Sequence, residues 1–169
     1  MCLFCVLLFF MDKKKFFMSE ALREAKKAYQ KGETPIGAVI VKDDKIIARA
    51  HNLRETKKNA LYHAEILSIN KACKKLGGWR LHECDLYVTL EPCIMCSGAI
   101  IQARFKNLYY GATDQKGGAV VSITNLPETE GLCHHVNCEG GVLSDECSQI
   151  LKDFFHELRL LKKQEKIDL

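Results

Sequence analysis

Three short stretches hold residues whose types and spacing can do chemistry: His63-Ala64-Glu65, Glu91-Pro92-Cys93-Ile94-Met95-Cys96, and the strand-like Leu86-Tyr-Val-Thr-Leu90 that leads into the second. Two cysteines at i and i+3 share one helix face. At a helix N-terminus the unpaired N–H groups and the dipole favour thiolate, the form that binds metal. His63 also falls at an expected helix start, so two helix starts facing one another could bring His63, Cys93 and Cys96 onto a single ion. Three protein ligands leave a fourth position for water, as in a catalytic zinc site; a structural site usually supplies four. Two thiolates and a neutral imidazole cancel the +2 charge, so such an ion acidifies its water less than a three-histidine site does. A nearby general base is then useful, and Glu65 stands two residues from a ligand.

The elements around these residues follow from periodicity. Phe17 to about Lys31 reads as an amphipathic helix ended by Gly32. Ile36–Val41 and Ile46–Ala50, split by Lys42–Lys45, read as a hairpin with a four-residue turn. A loop from His51 to Ala60 follows, and helical spacing resumes from Ala64 to Leu76 before Gly77-Gly78. Pro92 opens a helix from Cys93 to about Ala103. Asn107–Tyr110 is another strand, closed by Gly111, and residues 114–139 are irregular with at most one short strand. A last helix, N-capped by Ser144, runs to about Lys166, with Ile150, Leu151, Phe154, Phe155, Leu158 and Leu161 as its apolar stripe. A hairpin followed by alternating strands and helices predicts an α/β layered domain.

The chain has 169 residues, 47% hydrophobic and 27% charged, which fits one globular domain and excludes disorder or fibres. Its nine cysteines are an odd number in a chain too long for a disulfide scaffold, so reduced thiols are expected. A net charge of +4 permits a polyanionic partner without demanding one. The apolar run Met1–Met11 is about half the ~20 residues of a membrane span, and Lys13–Lys15 follow it, whereas a signal peptide puts charge first. Residues 1–16 are therefore expected to be an extension, with Met11 or Met18 as alternative starts and residues 17–169 as the domain; the CxxC of Cys2 and Cys5 has no nearby partner ligands.

Other readings of the same residues compete. The Cys93/Cys96 pair alone could be redox-active or half of a structural zinc site. Cys133, His134, His135, Cys138 and Cys147 could make a second metal site, although they lie in a segment of little regular structure. Cys73 and Cys84 look like small core hydrophobes; His51, His82 and His156 have no evident partners. Arg54, Lys57 and Lys58 before His63, and Lys71, Lys74, Lys75 and Arg80 after it, offer positive charge for RNA or are solvated faces.

The order HxE…PCxxC is the signature of zinc nucleobase deaminases. From about Phe17 to Lys166 the chain resembles the bacterial tRNA-specific adenosine deaminases of the cytidine-deaminase-like superfamily. The resemblance is carried by Pro35–Val41, His63-Ala-Glu-Ile66, Leu86–Ile100, Gly111–Ala119 and Leu143–Cys147 followed by Asp153-Phe154-Phe155. Tyr62 is bulkier than the alanine expected there, and Cys133 stands where the family often has asparagine before a histidine, here His134. The resemblance implies a three-layer α/β/α fold with a five-stranded mixed sheet, a homodimer, one Zn2+ per subunit on His63, Cys93 and Cys96, and a cytoplasmic enzyme with no membrane segment. It implies conversion of adenosine to inosine at the wobble position of a tRNA anticodon loop, with Glu65 catalytic. Asn52 matches a residue that hydrogen-bonds the base, Asp114 one near the neighbouring sugar, and backbone near Ala64 and Glu91 shapes the pocket. A deaminase of a free base or nucleotide, of guanine or cytosine type, would use the same four central residues. A zinc-stabilised RNA-binding module without catalysis is the reading from another class.

Overall fold

The computed structural model describes residues 13–165. The apolar run Met1–Met11 and the Cys2/Cys5 pair lie outside the described residues. Helix α1 (Lys13–Tyr29) begins at Lys13, earlier than the apolar spacing places it, because Phe16 and Phe17 already pack edge to face over the sheet. Strands β1 (Gly37–Lys42) and β2 (Lys45–His51) form the hairpin. Its turn is two residues rather than four: Asp43 and Asp44 take φ of 49° and 57°, the geometry that matches the twist of the flanking strands. The loop behind β2 contains a short helix, α2 (Arg54–Lys57), followed by α3 (Ala64–Leu76), β3 (Asp85–Leu90), α4 (Ile94–Gln102) and β4 (Asn107–Ala112). Strand β4 runs through Gly111 instead of stopping there. A 3-10 turn (Leu126–Glu128), the three-residue β5 (Asn137–Glu139) and the long α5 (Ser144–Glu165) complete the chain.

The five strands lie in the order β2-β1-β3-β4-β5, antiparallel across β2/β1 and β1/β3 and parallel across β3/β4 and β4/β5. The sheet is mixed, and period-2 alternation sorts its side chains. Ala38, Ile40, Leu86, Val88 and Leu108 face one side, against Ala64, Ile69 and Ala72 of α3 and Ile100 and Ile101 of α4. Val39, Val41 and Tyr87 face the other, against Phe17, Met18 and Ala21 of α1 and Cys147 of α5. Helices therefore cover both faces, which is why Ala38–Val41 reads as an unbroken apolar run. Among the described residues no helix is long and apolar enough to cross a membrane.

The topology brings the loops that matter to one edge. β3 and β4 are parallel, so both end there, at Leu90 and Ala112. β1 is antiparallel to β3 with Ala38 opposite Val88, so the edge also holds the start of β1 and the end of β2. Close packing of α1 on β1 sets this arrangement. A Cβ added to Gly37 would sit 2.1 Å from the Ala21 carbonyl oxygen and 2.4 Å from the Ala25 nitrogen, both backbone atoms that cannot step aside. Gly37→Ala is expected to destabilise the protein by at least the ~1–3 kcal/mol of overpacking, read as a lower urea midpoint. An unchanged midpoint would contradict that helix–strand contact.

Candidate metal and catalytic site

His63 is the N-cap of α3 and Cys93 the N-cap of α4, both in extended backbone conformation, with Cys96 one turn into α4. The two helices lie side by side on one face of the sheet and start at the same edge. His63 Nδ1 lies 3.8 Å from Cys93 Sγ and 3.6 Å from Cys96 Sγ. One donor atom from each of the three residues lies within 4.8 Å of the others, the one such group among the described residues that could hold a metal ion. Hydrogen bonds from Cys96 and His63 hold the Cys93 thiol down at about 4, against burial that opposes ionisation. Cys96 is pushed up, because it donates to Cys93 and is buried. His63 is raised by its hydrogen bond with Cys93. An ion bound here would take the place of the protons these groups share.

Glu65 is buried in the first turn of α3. Burial pushes its carboxyl pKa up, and its Oε2 is enclosed without a hydrogen-bond partner. A native interior rarely leaves a polar oxygen in that state, and a catalytic role is one physical reason for it.

The site opens on a cavity of about 650 Å³ lined by Asn52, Arg54, His63, Asp114, Lys116 and Phe155, among others. Asn52 and Asp114 therefore stand on its wall. Ala64 and Glu91 are buried and are not among its lining residues. The Glu91 carboxylate ties down the loop after β4 instead: Oε1 accepts from the N–H groups of Val120, Val121 and Ser122, and Oε2 from Asp114 N–H and the Ser122 hydroxyl. Those bonds hold its carboxyl below its ordinary value despite burial. Of the basic residues singled out on either side of His63, Arg54 reaches the cavity. Lys71 donates to the Arg49 carbonyl, and Arg80 stacks on exposed Trp79 beyond the far end of α3. The rival cysteine–histidine cluster does not converge: His134 Nε2 donates to the Phe105 carbonyl, Cys138 to Val136, and Cys147 is buried beneath Gly111. Cys84 is buried and Cys73 partly so. His51 does have partners, Glu24 Oε2 at 3.0 Å from Nδ1 and Lys31 Nζ at 2.9 Å from Nε2.

Sequence spacing missed Glu33, Lys116 and the cavity-facing side of Phe155. Lys116 carries no pattern of its own. Phe155 belongs to a helical stripe that reads as core, yet it is largely exposed at the cavity rim. Glu33 follows the helix-ending Gly32 and looks like a solvated charge, but it is 0% exposed. Its Oε2 accepts from Asn52 Nδ2 and Glu55 N–H, and its Oε1 from Thr56 N–H.

A model of the MafB19-like deaminase family matches residues 11–159. The tRNA-specific adenosine deaminase of Bacillus subtilis is 51% identical over 153 residues, 90% of this chain and 95% of that protein. A solved structure from work on A-to-I editing by tRNA:A34 deaminases at the wobble position of transfer RNA superposes with a TM-score of 0.78 at 46% identity, covering 80% of this chain and 99% of that one. The guanine deaminase structure from Bacillus subtilis is similar over a smaller part, 58% of this chain and 63% of its own, with a TM-score of 0.56 at 44% identity.

Burial works against ionisation of Glu33, but the hydrogen bonds from Thr56 and Glu55, with nearby His51, hold its carboxyl below the ordinary 4.5. A carboxyl lowered on folding adds stability that is complete above its unfolded value and is lost as pH falls through the folded one. The melting midpoint should therefore drop as pH goes from about 5 to about 3, and Glu33→Gln should drop less over that window. Parallel curves for the two proteins would remove Glu33 from the acid response.

Proposed function

From the premise that this chain belongs to the deaminase family that includes the tRNA-specific adenosine deaminases, we propose that it is a zinc-dependent hydrolase converting adenosine to inosine at the wobble position of a tRNA anticodon loop. The observation that carries the reading is one buried carboxylate oxygen without a partner, Glu65 Oε2, beside a three-donor cluster. The donors fit zinc. A tetrahedral ion with sulfur at about 2.3 Å and nitrogen at about 2.0 Å sets those atoms about 3.5 Å apart, against the 3.6 and 3.8 Å found. His63 Nδ1 and the sulfurs of Cys93 and Cys96 would hold the ion, which supplies Lewis acidity that makes water a better nucleophile near neutral pH.

The reaction exchanges the exocyclic amine for oxygen: a C6–O bond forms, the C6–N6 bond breaks, and water plus adenosine give inosine plus ammonia. Glu65 carries the protons. Its carboxylate takes one proton from the attacking water and delivers it to the ring nitrogen; it then takes the second from the hydroxyl now on C6 and gives it to the departing amine, which leaves as ammonia as the C6=O bond forms. The raised pKa suits that task, since the group must hold and release a proton within one cycle.

Asn52 is proposed to hydrogen-bond the base and Asp114 to meet the neighbouring sugar; both line the cavity. Arg54 and Lys116 offer positive charge for phosphates, and Phe155 with Leu151 an apolar wall for unstacked bases. A loop substrate suits such a pocket, because its bases splay out at lower cost than bases in a duplex. A homodimer is supported by exposed Ile94, Val121 and Ile123, which lie on segments joined by the Cys93–Gly118 bridge and the Ala119-to-Pro92 hydrogen bond. The cytoplasm is the compartment proposed with a tRNA substrate. Similarity to a guanine deaminase keeps a free-base substrate as the second reading.

Incubation with an anticodon stem-loop carrying wobble adenosine, beside free adenosine, guanine and cytosine, should yield inosine from the stem-loop alone. Ammonia from the free compounds only would overturn the RNA assignment. Glu65→Ala should lower turnover by at least ~10²–10⁴-fold while the zinc content, measured by elemental analysis, stays at that of the parent. Activity within a few-fold of the parent would remove Glu65 from the chemistry.

A further inference from the structure

A side-chain amide is nearly symmetric in shape, so packing alone does not decide which of its ends faces a ligand; its hydrogen-bond partners do. Asn52 is 5% exposed, and its Nδ2 donates to Glu33 Oε2 at 3.1 Å. Glu33 is itself fully enclosed. Its remaining bonds come from the first turn of α2: Glu55 N–H at 3.2 Å, Thr56 N–H at 2.6 Å and the Thr56 side chain. A carboxylate surrounded by N–H donors stays ionised and can only accept. Were the Asn52 amide turned over, its oxygen would face Glu33 Oε2 in a buried space: two acceptors would repel, and the amide oxygen would have no donor there. The Glu33–Asn52 contact thus has a polarity that only one amide orientation satisfies.

The same carboxylate holds the rim. Glu55 and Thr56 follow Arg54, which lines the cavity with Asn52 and Glu55. The backbone around Asn52 is fixed as well, by Asn52 N–H to the Ile36 carbonyl and Leu53 N–H to the Tyr62 carbonyl. What the backbone does not fix is the amide's rotation.

Resting on the deaminase reading above, we propose that Glu33 is a positioning residue for base recognition. It pins Nδ2 of Asn52 away from the cavity, so that Oδ1 and the second N–H are presented to the substrate base in one fixed order, and it holds the Arg54 turn beside them. Glu33 touches no substrate atom in this role; it removes the alternative amide orientation before binding, which is how preorganisation raises affinity.

A double-mutant cycle tests this with the zinc-loaded, full-length protein and the wobble-adenosine stem-loop. Glu33→Gln offers both a donor and an acceptor to Asn52 and so permits both amide orientations. We expect kcat/KM for the stem-loop to fall about 10-fold, the scale of one hydrogen bond to a charged group, mostly through KM. In an Asn52→Ala background the same change should cost less than about 2-fold, because the residue it acts through is gone. Equal losses in both backgrounds would overturn the proposal and leave Glu33 a fold-stabilising group only.

Should Glu33→Gln not fold, the wild-type chain still decides the matter by NMR of its side-chain amides, with the Asn52 pair assigned by its loss in Asn52→Ala. Two well-separated, slowly exchanging N–H signals are expected for a pinned amide; a merged, rapidly exchanging pair would overturn the pinning. That readout needs no turnover. A wild-type protein that made no inosine would sink the substrate assignment, while the amide signals would still judge the Glu33–Asn52 contact.

Discussion

The antiparallel pairing of β1 with β3 is the constraint on which the site depends. With Ala38 opposite Val88, the start of β1 and the end of β2 are forced to the edge where β3 and β4 finish. His63 and Cys93 cap helices that begin at that edge, so four connections far apart in sequence share one cavity. A register slip of one residue would turn every side chain of β1 to the opposite layer. The alternation of Ala38 and Ile40 with Val39 and Val41 between two different cores prevents it.

Within that frame three buried glutamates do three different jobs, and the number of donors around each decides which. Glu91 accepts five hydrogen bonds and has nothing left to offer, so it fastens the loop from Asp114 to Ser122. Glu33 accepts from Asn52, from two backbone N–H groups and from the Thr56 side chain, and its polarity passes to Asn52. Glu65 keeps an oxygen unspent beside the metal-ligand cluster. Burial disfavours the charge in all three; hydrogen bonds reverse its effect in the first two and not in Glu65. A saturated carboxylate is architecture, whereas an unsatisfied one is available to move protons.

The elements were largely legible because their signals are local. Helix spacing from Ala64 to Leu76, the Pro92 start and the strand at Leu86 reappear within a residue or two. The hairpin turn is two residues shorter than its sequence suggests, since Lys42 and Lys45 look like loop residues but pair across the strands. Helix α1 is longer than its apolar spacing suggests, because Lys13–Lys15 carry no apolar signal while Phe16 beside them packs against the core. Phe155 and Leu161 share a helical stripe with buried Phe154 yet are themselves exposed.

By itself the sequence determined the ligand types and their spacing: a histidine and a glutamate two residues apart, and two cysteines three apart behind a proline. Those intervals are set by one helical turn, which a sequence carries openly. Only the tertiary structure decided that Glu33 belongs beside Asn52, that Glu91 turns inward to its loop, and that Cys133, His134, Cys138 and Cys147 go separate ways. Apart from Cys138, which bonds to Val136 two residues away, the partners just cited lie 19 to 36 residues off, where contact is fixed by strand order and helix packing and not by any local period.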